Sequence, residues 1–325
     1  MCTYPFVWTQ KASAEEYTHG KAECVMELTT GRVLYESRGD LRLPMASTTK
    51  IATAATVLRL CEDLQEPIVI PSDAAGVEGS SVYLKVGDCY TVEELLYGLM
   101  LRSGNDCATA LALRFGGCLE NFSAKMNETA QMAGALHTRF SNPHGLPAEN
   151  HYTTARDLSY IARYAMKNPT FREIVATQYY PPRNWKNKNK MLYHYDGGIG
   201  VKTGYTKEAG RCLVTAATRN GMTLICTVLN CPQMYERSAS LLDDAFDAYQ
   251  MQCLLKAGTV LPVQSRDEKR SGVVKEDYYY PLSDGENAQL EVRTRSISSK
   301  NKEIVGQFTI YLSKRLLFSG NLYKL

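Results

Sequence analysis

The sequence lacks several features that would assign it to a functional class at once. No run approaches 18 apolar residues, so no predicted helix is long enough to cross a membrane. Lysine and arginine number 37 against 34 aspartates and glutamates, a formal charge of +3 that argues against a dedicated nucleic-acid-binding protein. No internal repeat is present. With 325 residues, 44% of them hydrophobic, the chain predicts one large globular domain, or a large domain and a small one.

The ten cysteines form no recognisable metal site. No two of them are spaced as C-x-x-C, and no cysteine–histidine spacing matches a zinc site. Cys24, Cys212 and Cys226 lie in alternating apolar runs, where cysteine commonly acts as a small buried hydrophobe. We therefore assign no disulfide bridge and predict no metal.

The predicted elements run in the order strands, helices and strands that complete one sheet. Residues 22–36 predict a hairpin around Thr29-Thr30-Gly31, and residues 198–231 predict strands joined by an Asn220-Gly221 turn. A capping box begins one helix at Thr91, and Asn168-Pro169 ends another. Helices are predicted over residues 47–64, 91–100, 106–115, 154–167 and 234–255. The pattern favours the α+β class.

The chain is predicted to have three parts. Residues 1–19 are an N-terminal segment in which Ala12-Ser13-Ala14 has the small-x-small form of a signal-peptidase site, although no basic region precedes it. A signal-peptide remnant and an ordinary N-terminus both stay open. Residues 20–257 form the larger domain. Residues 258–325 contain short alternating runs and form a small β-rich C-terminal domain.

Three short motifs carry chemistry and follow one another along the chain: Ser47-Thr48-Thr49-Lys50, Ser103-Gly104-Asn105 and Lys202-Thr203-Gly204. Ser47 and Lys50 lie three residues apart at a helix start, so both side chains fall on one face. A serine is a weak nucleophile until a base takes its proton, and a buried lysine near another cation readily becomes a neutral base. The helix start also offers backbone N–H groups to a developing oxyanion.

Each motif alone is a weak signal, because the same sequence contains copies of two of them. Ser299-Lys300-Asn301-Lys302 also fits S-x-x-K, and Ser319-Gly320-Asn321 repeats S-G-N. Both copies lie in the β-rich tail and begin no predicted helix, whereas K-T-G occurs once. The ordered set of three, each in a suitable context, is the informative feature.

This set resembles the motifs of penicillin-binding proteins and serine β-lactamases, and most closely those of the low-molecular-mass D-alanyl-D-alanine carboxypeptidases. The flanking strings LPMASTTKIATA, LMLRSGNDCATALA, HYTTARDLSYIA and GVKTGYTKEAGRCLV extend the resemblance over about residues 20–255. The resemblance implies the transpeptidase-like fold of that family, an antiparallel sheet flanked by helices, with residues 20–257 as the serine D,D-peptidase catalytic domain. It also implies that no metal or organic cofactor is required.

The catalytic residues implied by the resemblance come from the first two motifs, with one backbone group from Tyr205, directly after the third. Ser47 attacks the carbonyl between the two terminal D-alanines of a peptidoglycan stem peptide, and Lys50 takes its proton. The backbone N–H groups of Ser47 and Tyr205 hold the oxyanion. Ser103 relays a proton toward the leaving D-alanine, and Asn105 holds the substrate amide.

The substrate-binding residues implied by the resemblance are Lys202 and Thr203, which hold the terminal carboxylate, with Gly204 and Tyr205 along the strand edge. Gly204 lets the substrate lie beside the strand as an added strand. β-Lactams are expected to acylate Ser47 by the same route. Arg237 is interpreted as a solvated helix-start residue, with a contact to the substrate carboxylate as the alternative.

Three alternatives stay open. A β-lactamase is disfavoured because the second motif is S-G-N rather than S-D-N, because no deacylating glutamate is evident, and because a β-rich module follows. A transpeptidase is disfavoured because it would usually come in a much longer chain. A catalytically silent wall-binding module would predict a damaged motif, and none is damaged.

The resemblance also implies an extracytoplasmic location, in the cell wall or on the outer face of the cytoplasmic membrane. Many relatives carry an amphipathic membrane-binding helix after the β-rich module. No stretch with such a pattern is predicted at the end of this sequence, so membrane association is uncertain. The expected partners are a peptidoglycan stem peptide and β-lactam inhibitors, without nucleic acid.

Overall fold

A computed structural model describes residues 19–263, 270–297, 301 and 303–325. The described chain divides into two compact units. The first runs to Arg219 and resumes over Thr223–Asp243, and the second takes Asn220–Met222 and Asp244–Leu325. The division at residue 243 lies earlier than the boundary at 257 suggested by the sequence pattern, and the assignment of residues 20–257 to a catalytic domain stays a prediction.

Eight helices lie in the described part of the chain. Their bounds are α1 Lys50–Leu60, α2 Val92–Tyr97, α3 Asn105–Gly116, α4 Leu119–Ala133, α5 Ala155–Met166, α6 Pro169–Ala176, α7 Met191–His194 and α8 Met234–Ala248. A 3₁₀ turn, Ala46–Thr49, leads into α1, and a π-type turn, Gly98–Arg102, follows α2. The capping box predicted at Thr91 is present, with both of its hydrogen bonds formed to Glu94.

The strands of the central sheet are β1 Ala22–Glu27, β2 Val33–Ser37, β7 Gly198–Thr206, β8 Gly210–Arg219 and β9 Met222–Leu229. The sheet is antiparallel and has the strand order β2-β1-β9-β8-β7. Two short pairs lie outside it: β3 Pro67–Val69 with β4 Cys89–Thr91, and β5 Tyr179–Tyr180 with β6 Trp185–Lys186. The sequence-predicted hairpins at residues 22–36 and 198–231 are confirmed. Asn220 and Gly221 both have positive φ, as a tight hairpin turn requires.

Helices cover both faces of this sheet. Every residue of β1 is buried, which a strand covered on one face alone would not show. On one face, Ser159 of α5 donates to Thr227, which is paired with Cys24 in the neighbouring strand. On the other, Arg237 of α8 binds the Glu23 carboxylate with two hydrogen bonds. Antiparallel sheet and flanking helices are thus the fold that the resemblance implied.

The second unit is built from strands. They are β10 Tyr249–Leu255, β11 Val260–Val263, β12 Arg270–Val273, β13 Tyr278–Ser283, β14 Leu290–Ser296, β15 Ile304–Leu312 and β16 Arg315–Tyr323. Five of them form a sheet in the order β11-β12-β16-β15-β14, and β10 pairs with β13. Tyr278 packs edge-on against Phe308 and Phe318, so this tyrosine-rich run supplies packing.

Two helix predictions are wrong in extent. The helix predicted to reach residue 255 ends at Ala248, because residues 249–255 pair with β13 as β10. Their alternation of tyrosine, glutamine, methionine and glutamine satisfies a strand period, and pairing overrides the helical interpretation. The first long helix ends at Leu60 rather than residue 64. No helix in the described ranges is long and apolar enough to span a membrane.

Candidate active site

Ser47 lies in the 3₁₀ turn that leads into α1, and Lys50 is the first residue of α1. The geometry brings the two side chains together, with 3.0 Å between Lys50 Nζ and Ser47 Oγ. Ser47 is half-buried, whereas Lys50 is fully buried. Ala46, which precedes Ser47, has a left-handed backbone with φ of 48°. Ser47 therefore lies in a constrained turn, and its hydroxyl contacts the buried amine of Lys50.

Lys50 Nζ contacts two further oxygens. It donates to Asn105 Oδ1 at 2.7 Å and to the His144 carbonyl at 2.6 Å. Neither an amide oxygen nor a backbone carbonyl can donate a hydrogen, so Lys50 must supply the hydrogen in both bonds. Of these three oxygen partners, only the Ser47 hydroxyl is able to donate a proton back to the nitrogen.

Burial, followed by the charge of Lys202, lowers the pKa of Lys50 well below the usual value for lysine. The direction has a plain cause, since an ammonium group loses its hydration in a fully buried position and is repelled by a second cation. Both effects favour the neutral amine form of Lys50 in the free enzyme, and the neutral amine is the form that can accept a proton.

The second motif lies in the turn between the π-type turn and α3. Ser103 is buried and has a left-handed backbone, with φ of 65° and ψ of 32°. Asn105 begins α3, and its side chain binds in two directions: Oδ1 faces Lys50, and Nδ2 donates to the Glu78 carbonyl at 2.5 Å. The Asn105 N–H donates to the Ser80 carbonyl. Asn105 thus connects the lysine to the loop of residues 78–84.

Asp106 was not singled out by the sequence, yet it holds this loop. Its carboxylate accepts from the Ser81 hydroxyl at 2.6 Å and from the N–H groups of Val82 and Leu84 at 3.0 and 3.1 Å. Asp106 is fully buried, so these bonds replace its hydration. An aspartate directly after S-G-N at a helix start was the available signal.

The third motif lies on β7, the edge strand of the central sheet in the described chain, next to the turn that carries Ser47. A Cβ placed on Gly204 would lie only 3.0 Å from the backbone nitrogens of both Ser47 and Thr48. A side chain at position 204 would therefore push the strand away from Ser47. Thr203 and Tyr205 flank this glycine, and the Tyr205 side chain is 65% exposed.

Lys202 is 2% exposed, and its Nζ donates to the Thr203 carbonyl at 2.9 Å. Burial, followed by the charge of Lys188, lowers the pKa of Lys202 to about 7. Lys188 comes from the polar segment after α6, where the Lys188 N–H donates to the Leu101 carbonyl beside the second motif. This nearby cation was also not identified from the sequence.

A loop of residues 142–146 completes the surroundings of Lys50. The Asn142 Oδ1 accepts from the N–H groups of His144 and Gly145, and its Nδ2 donates to the Leu146 carbonyl. This arrangement directs the His144 carbonyl at Lys50. The role belongs to backbone atoms, which explains why residue types alone did not reveal it.

The other residues considered in the sequence analysis belong to other elements of the fold or lie outside the described residues. Ser319-Gly320-Asn321 lies within β16 of the second unit. Ser299 and Lys300 lie outside the described residues. Arg237 is not a solvated residue, because its side chain is 14% exposed and pairs with Glu23, which is fully buried. The alternative contact to a substrate carboxylate stays a prediction. Although burial raises the pKa of Glu23, the hydrogen bonds from Arg237 and Gly20 outweigh it and lower that pKa.

Comparison with known proteins places this arrangement in a family. A family model described as D-alanyl-D-alanine carboxypeptidase matches residues 9–233. The D-alanyl-D-alanine carboxypeptidase DacF of Bacillus subtilis is 34% identical over 275 residues, covering 80% of this chain and 71% of that protein. A D-alanyl-D-alanine carboxypeptidase of a Streptomyces species is 42% identical over 223 residues, covering 62% of this chain and 77% of that protein.

Solved structures agree with this assignment. Penicillin binding protein 5 of Haemophilus influenzae superposes with a TM-score of 0.79 at 25% identity, covering 94% of this chain and 96% of that one. A Streptomyces DD-transpeptidase superposes with a TM-score of 0.67 at 37% identity, covering 71% of this chain and 98% of that one. The chain belongs to the D-alanyl-D-alanine carboxypeptidase family of serine peptidases.

Proposed function

We propose that this serine-type D-alanyl-D-alanine carboxypeptidase removes the terminal D-alanine of peptidoglycan stem pentapeptides through an acyl-enzyme on Ser47. The observation that carries the assignment of the nucleophile is the environment of Lys50 Nζ. A neutral amine has two hydrogens and one lone pair. Asn105 Oδ1 and the His144 carbonyl take the two hydrogens, so the lone pair points to Ser47 Oγ.

The first step follows from that arrangement. Lys50 takes the Ser47 hydroxyl proton while Oγ forms a bond to the carbonyl carbon between the two D-alanines. The tetrahedral intermediate then expels the D-alanine nitrogen, which receives a proton delivered through Ser103. Water hydrolyses the resulting ester and restores Ser47. A β-lactam opens by the same attack, and its ring nitrogen stays attached to the acyl group.

The oxyanion is proposed to lie between the N–H groups of Ser47 and Tyr205. Support comes from Gly204, whose missing side chain lets β7 lie against the Ser47 and Thr48 nitrogens. Preorganised donors of this kind contribute about 10²–10³-fold each to acyl transfer. Because β7 is the edge strand of the central sheet among the described residues, it can also pair with an extended substrate backbone.

The terminal carboxylate of the substrate is proposed to bind Lys202 and Thr203, with Asn105 holding the substrate amide. An arriving carboxylate favours the charged form of a neighbouring lysine, so binding would raise the pKa of Lys202 from its value of about 7. The substrate would thereby create its own ion pair. Because peptidoglycan lies outside the cytoplasmic membrane, we infer an extracytoplasmic site of action.

The nucleophile is tested by replacing Ser47 with alanine. Intact-protein mass spectrometry follows incubation with a β-lactam, and D-alanine release is assayed with a stem pentapeptide. Wild type should form an adduct on Ser47 and release D-alanine, whereas Ser47→Ala should do neither and still fold. Ser299→Ala, in the second S-x-x-K, is the matched control and should behave as wild type. An adduct that persists in Ser47→Ala would exclude Ser47.

A second activity is favoured by one comparison. The Streptomyces structure is described as a DD-transpeptidase, and 71% of this chain covers 98% of that one. Chain length therefore does not exclude transpeptidation, contrary to the expectation from the sequence. The acyl-enzyme would pass to an amine instead of water. Adding glycine or a peptide amine to the pentapeptide assay distinguishes the two, because transpeptidation forms a new peptide while D-alanine release continues.

A further inference from the structure

We propose that His151 is a positioning residue which, acting through Thr49, fixes the direction of the Ser47 N–H. The inference rests on the proposed function, in which that N–H is an oxyanion donor. His151 is far from Ser47 in sequence and belongs to none of the three motifs. Both of its ring nitrogens make hydrogen bonds, and Nε2 contacts Thr49 in the turn that carries Ser47.

The hydrogen bonds form a directed chain. The Ser141 N–H donates to His151 Nδ1 at 3.0 Å, so Nδ1 carries no hydrogen and the neutral ring bears its hydrogen on Nε2. Nε2 lies 2.9 Å from Thr49 Oγ1, and this hydroxyl donates to the Ala46 carbonyl at 2.8 Å. His151 therefore donates to Thr49, which in turn donates to Ala46.

The histidine has the protonation state that this chain needs. His151 is 7% exposed, and burial followed by the charge of Lys50 lowers its pKa to about 4. A protonated ring would place a hydrogen on Nδ1, facing the Ser141 N–H. The neutral form leaves one ring nitrogen to accept from Ser141 and the other to donate to Thr49.

The last hydrogen bond of this series, from Thr49 to the Ala46 carbonyl, matters because of peptide geometry. The Ala46 carbonyl and the Ser47 N–H belong to one planar peptide unit and point in opposite directions. Fixing the carbonyl therefore fixes the N–H. Ala46 needs such support because its φ of 48° is unfavourable for a residue with a side chain.

A second contact restrains the same carbonyl. Gly145 has φ of 92°, and a Cβ built on it would lie 1.9 Å from the Ala46 oxygen. The loop of residues 142–146 therefore packs directly on this peptide unit. Thr49 restrains the carbonyl by a hydrogen bond and Gly145 by contact, so the Ser47 N–H has little freedom to turn.

The test separates the hydrogen bond at His151 Nε2 from the hydrogen bond at His151 Nδ1. The side-chain amide nitrogen of glutamine can replace Nε2–H, whereas the oxygen of asparagine can replace Nδ1. His151→Gln keeps the bond to Thr49, and His151→Asn keeps only the bond from Ser141. For each variant we would measure the acylation rate constant of a β-lactam, its non-covalent binding constant, and KM and kcat for the pentapeptide.

We expect His151→Asn to lower the acylation rate constant and kcat by about 10–100-fold, somewhat less than the full loss of an oxyanion donor. KM and non-covalent binding should change less than about threefold, because the effect belongs to the transition state. His151→Gln should stay within about threefold of wild type. Thr49→Val should match His151→Asn, and combining the two should add nothing further.

Other outcomes overturn the proposal. Equal losses in His151→Gln and His151→Asn that follow a fall in melting temperature would show a structural role alone. Unchanged kcat in both His151→Asn and Thr49→Val would show that the chain does not act on Ser47. If the histidine variants do not fold, Thr49→Val against Thr49→Ser decides, since serine keeps the hydroxyl. An adduct missing from Ser47 in wild type would instead refute the proposed function.

Discussion

The tripeptide Ser-Gly-Asn occurs twice in this protein with opposite structural consequences. Ser103-Gly104-Asn105 lies at a helix start, where Ser103 is left-handed and Asn105 contacts the buried amine of Lys50. Ser319-Gly320-Asn321 lies in the middle of β16, and each of its residues pairs with one in β15. Identical residues thus form a constrained turn in one unit and a regular ladder in the other.

The difference is in what surrounds the tripeptide. Asp106 follows the first copy and binds the loop of residues 78–84, while Leu322 follows the second and is buried in the β-rich unit. The neighbouring residue therefore selects between a polar anchor and an apolar strand. A short motif acquires chemistry only when its backbone and its next neighbours bring it to a partner such as Lys50.

The largest difference between the copies should appear in catalysis. Asn105→Ala removes the acceptor that orients Lys50, so we expect β-lactam acylation to slow by about 10²–10⁴-fold, the range of a lost acid–base arrangement. Asn321→Ala should leave acylation unchanged. Rate constants from intact-mass time courses measure both. Comparable losses in the two variants would remove the functional distinction between the copies.

The residue after each tripeptide should matter next. Asp106→Leu gives the first copy the S-G-N-L sequence of the second and leaves the Val82 and Leu84 N–H groups and the Ser81 hydroxyl without their acceptor. We expect a loss of about 3 kcal/mol in the free energy of unfolding. Chemical denaturation measures it, and Asp106→Asn, which keeps one acceptor oxygen, should lose less. A stable Asp106→Leu would mean that the loop does not depend on this carboxylate.

The pH dependence of stability should reveal the buried lysines beside the first copy. Lys202 has a folded-state pKa of about 7 and an unfolded value of about 10.4, so the unfolded chain binds more protons between these values. Stability should therefore rise with pH above about 7, by about 1.4 kcal/mol for each pH unit from this group alone. Lys202→Met should lack that contribution.

This contribution is obtained as the wild-type minus Lys202→Met difference in the free energy of unfolding, measured between about pH 6 and 8.5. The difference should be flat below the folded-state pKa and rise above it. A difference that is constant over the whole range would contradict a neutral Lys202 in the folded protein.

The smallest expected effect concerns the backbone conformation of the serine in each copy of the tripeptide. Ser103→Gly relieves a left-handed residue, so it should stabilise the fold by about 1 kcal/mol even though it removes the hydroxyl that we propose relays a proton. Ser319→Gly places a second flexible residue in a strand and should destabilise by about 0.5–1 kcal/mol. Thermal unfolding distinguishes the signs. The same sign in both would refute the conformational difference.

Much of the fold and of the candidate site was predictable from local pattern. The hairpins, the capping box at Thr91 and the helix start after Ser103 all have residue signatures that fix backbone geometry. Asn168-Pro169 was interpreted only as the end of α5, although Asn168 also caps α6 with proline at its first position. That signal was present in the sequence and was only half used.

Other parts could not be deduced from residue types. The α4 helix is capped by Cys118, whose sulfur accepts a hydrogen bond from the Asn121 N–H in place of an oxygen. The contacts from Glu78, Ser80 and His144 to the site are made by backbone carbonyls, which any residue possesses. The position of Lys188 beside Lys202 depends on tertiary packing. All of these features arise only once distant parts of the chain have come together.

Because the pKa of Lys202 is about 7, the charge of this lysine depends on whether a carboxylate is bound beside it. In the proposed reaction, the arriving carboxylate draws a proton onto Lys202, and the departing D-alanine takes that carboxylate away. Once the carboxylate has left, the pKa of Lys202 falls back to about 7 and the pocket loses positive charge. Release of D-alanine would return a proton to solvent, so each turnover would reset the electrostatics of the site without any movement of the chain.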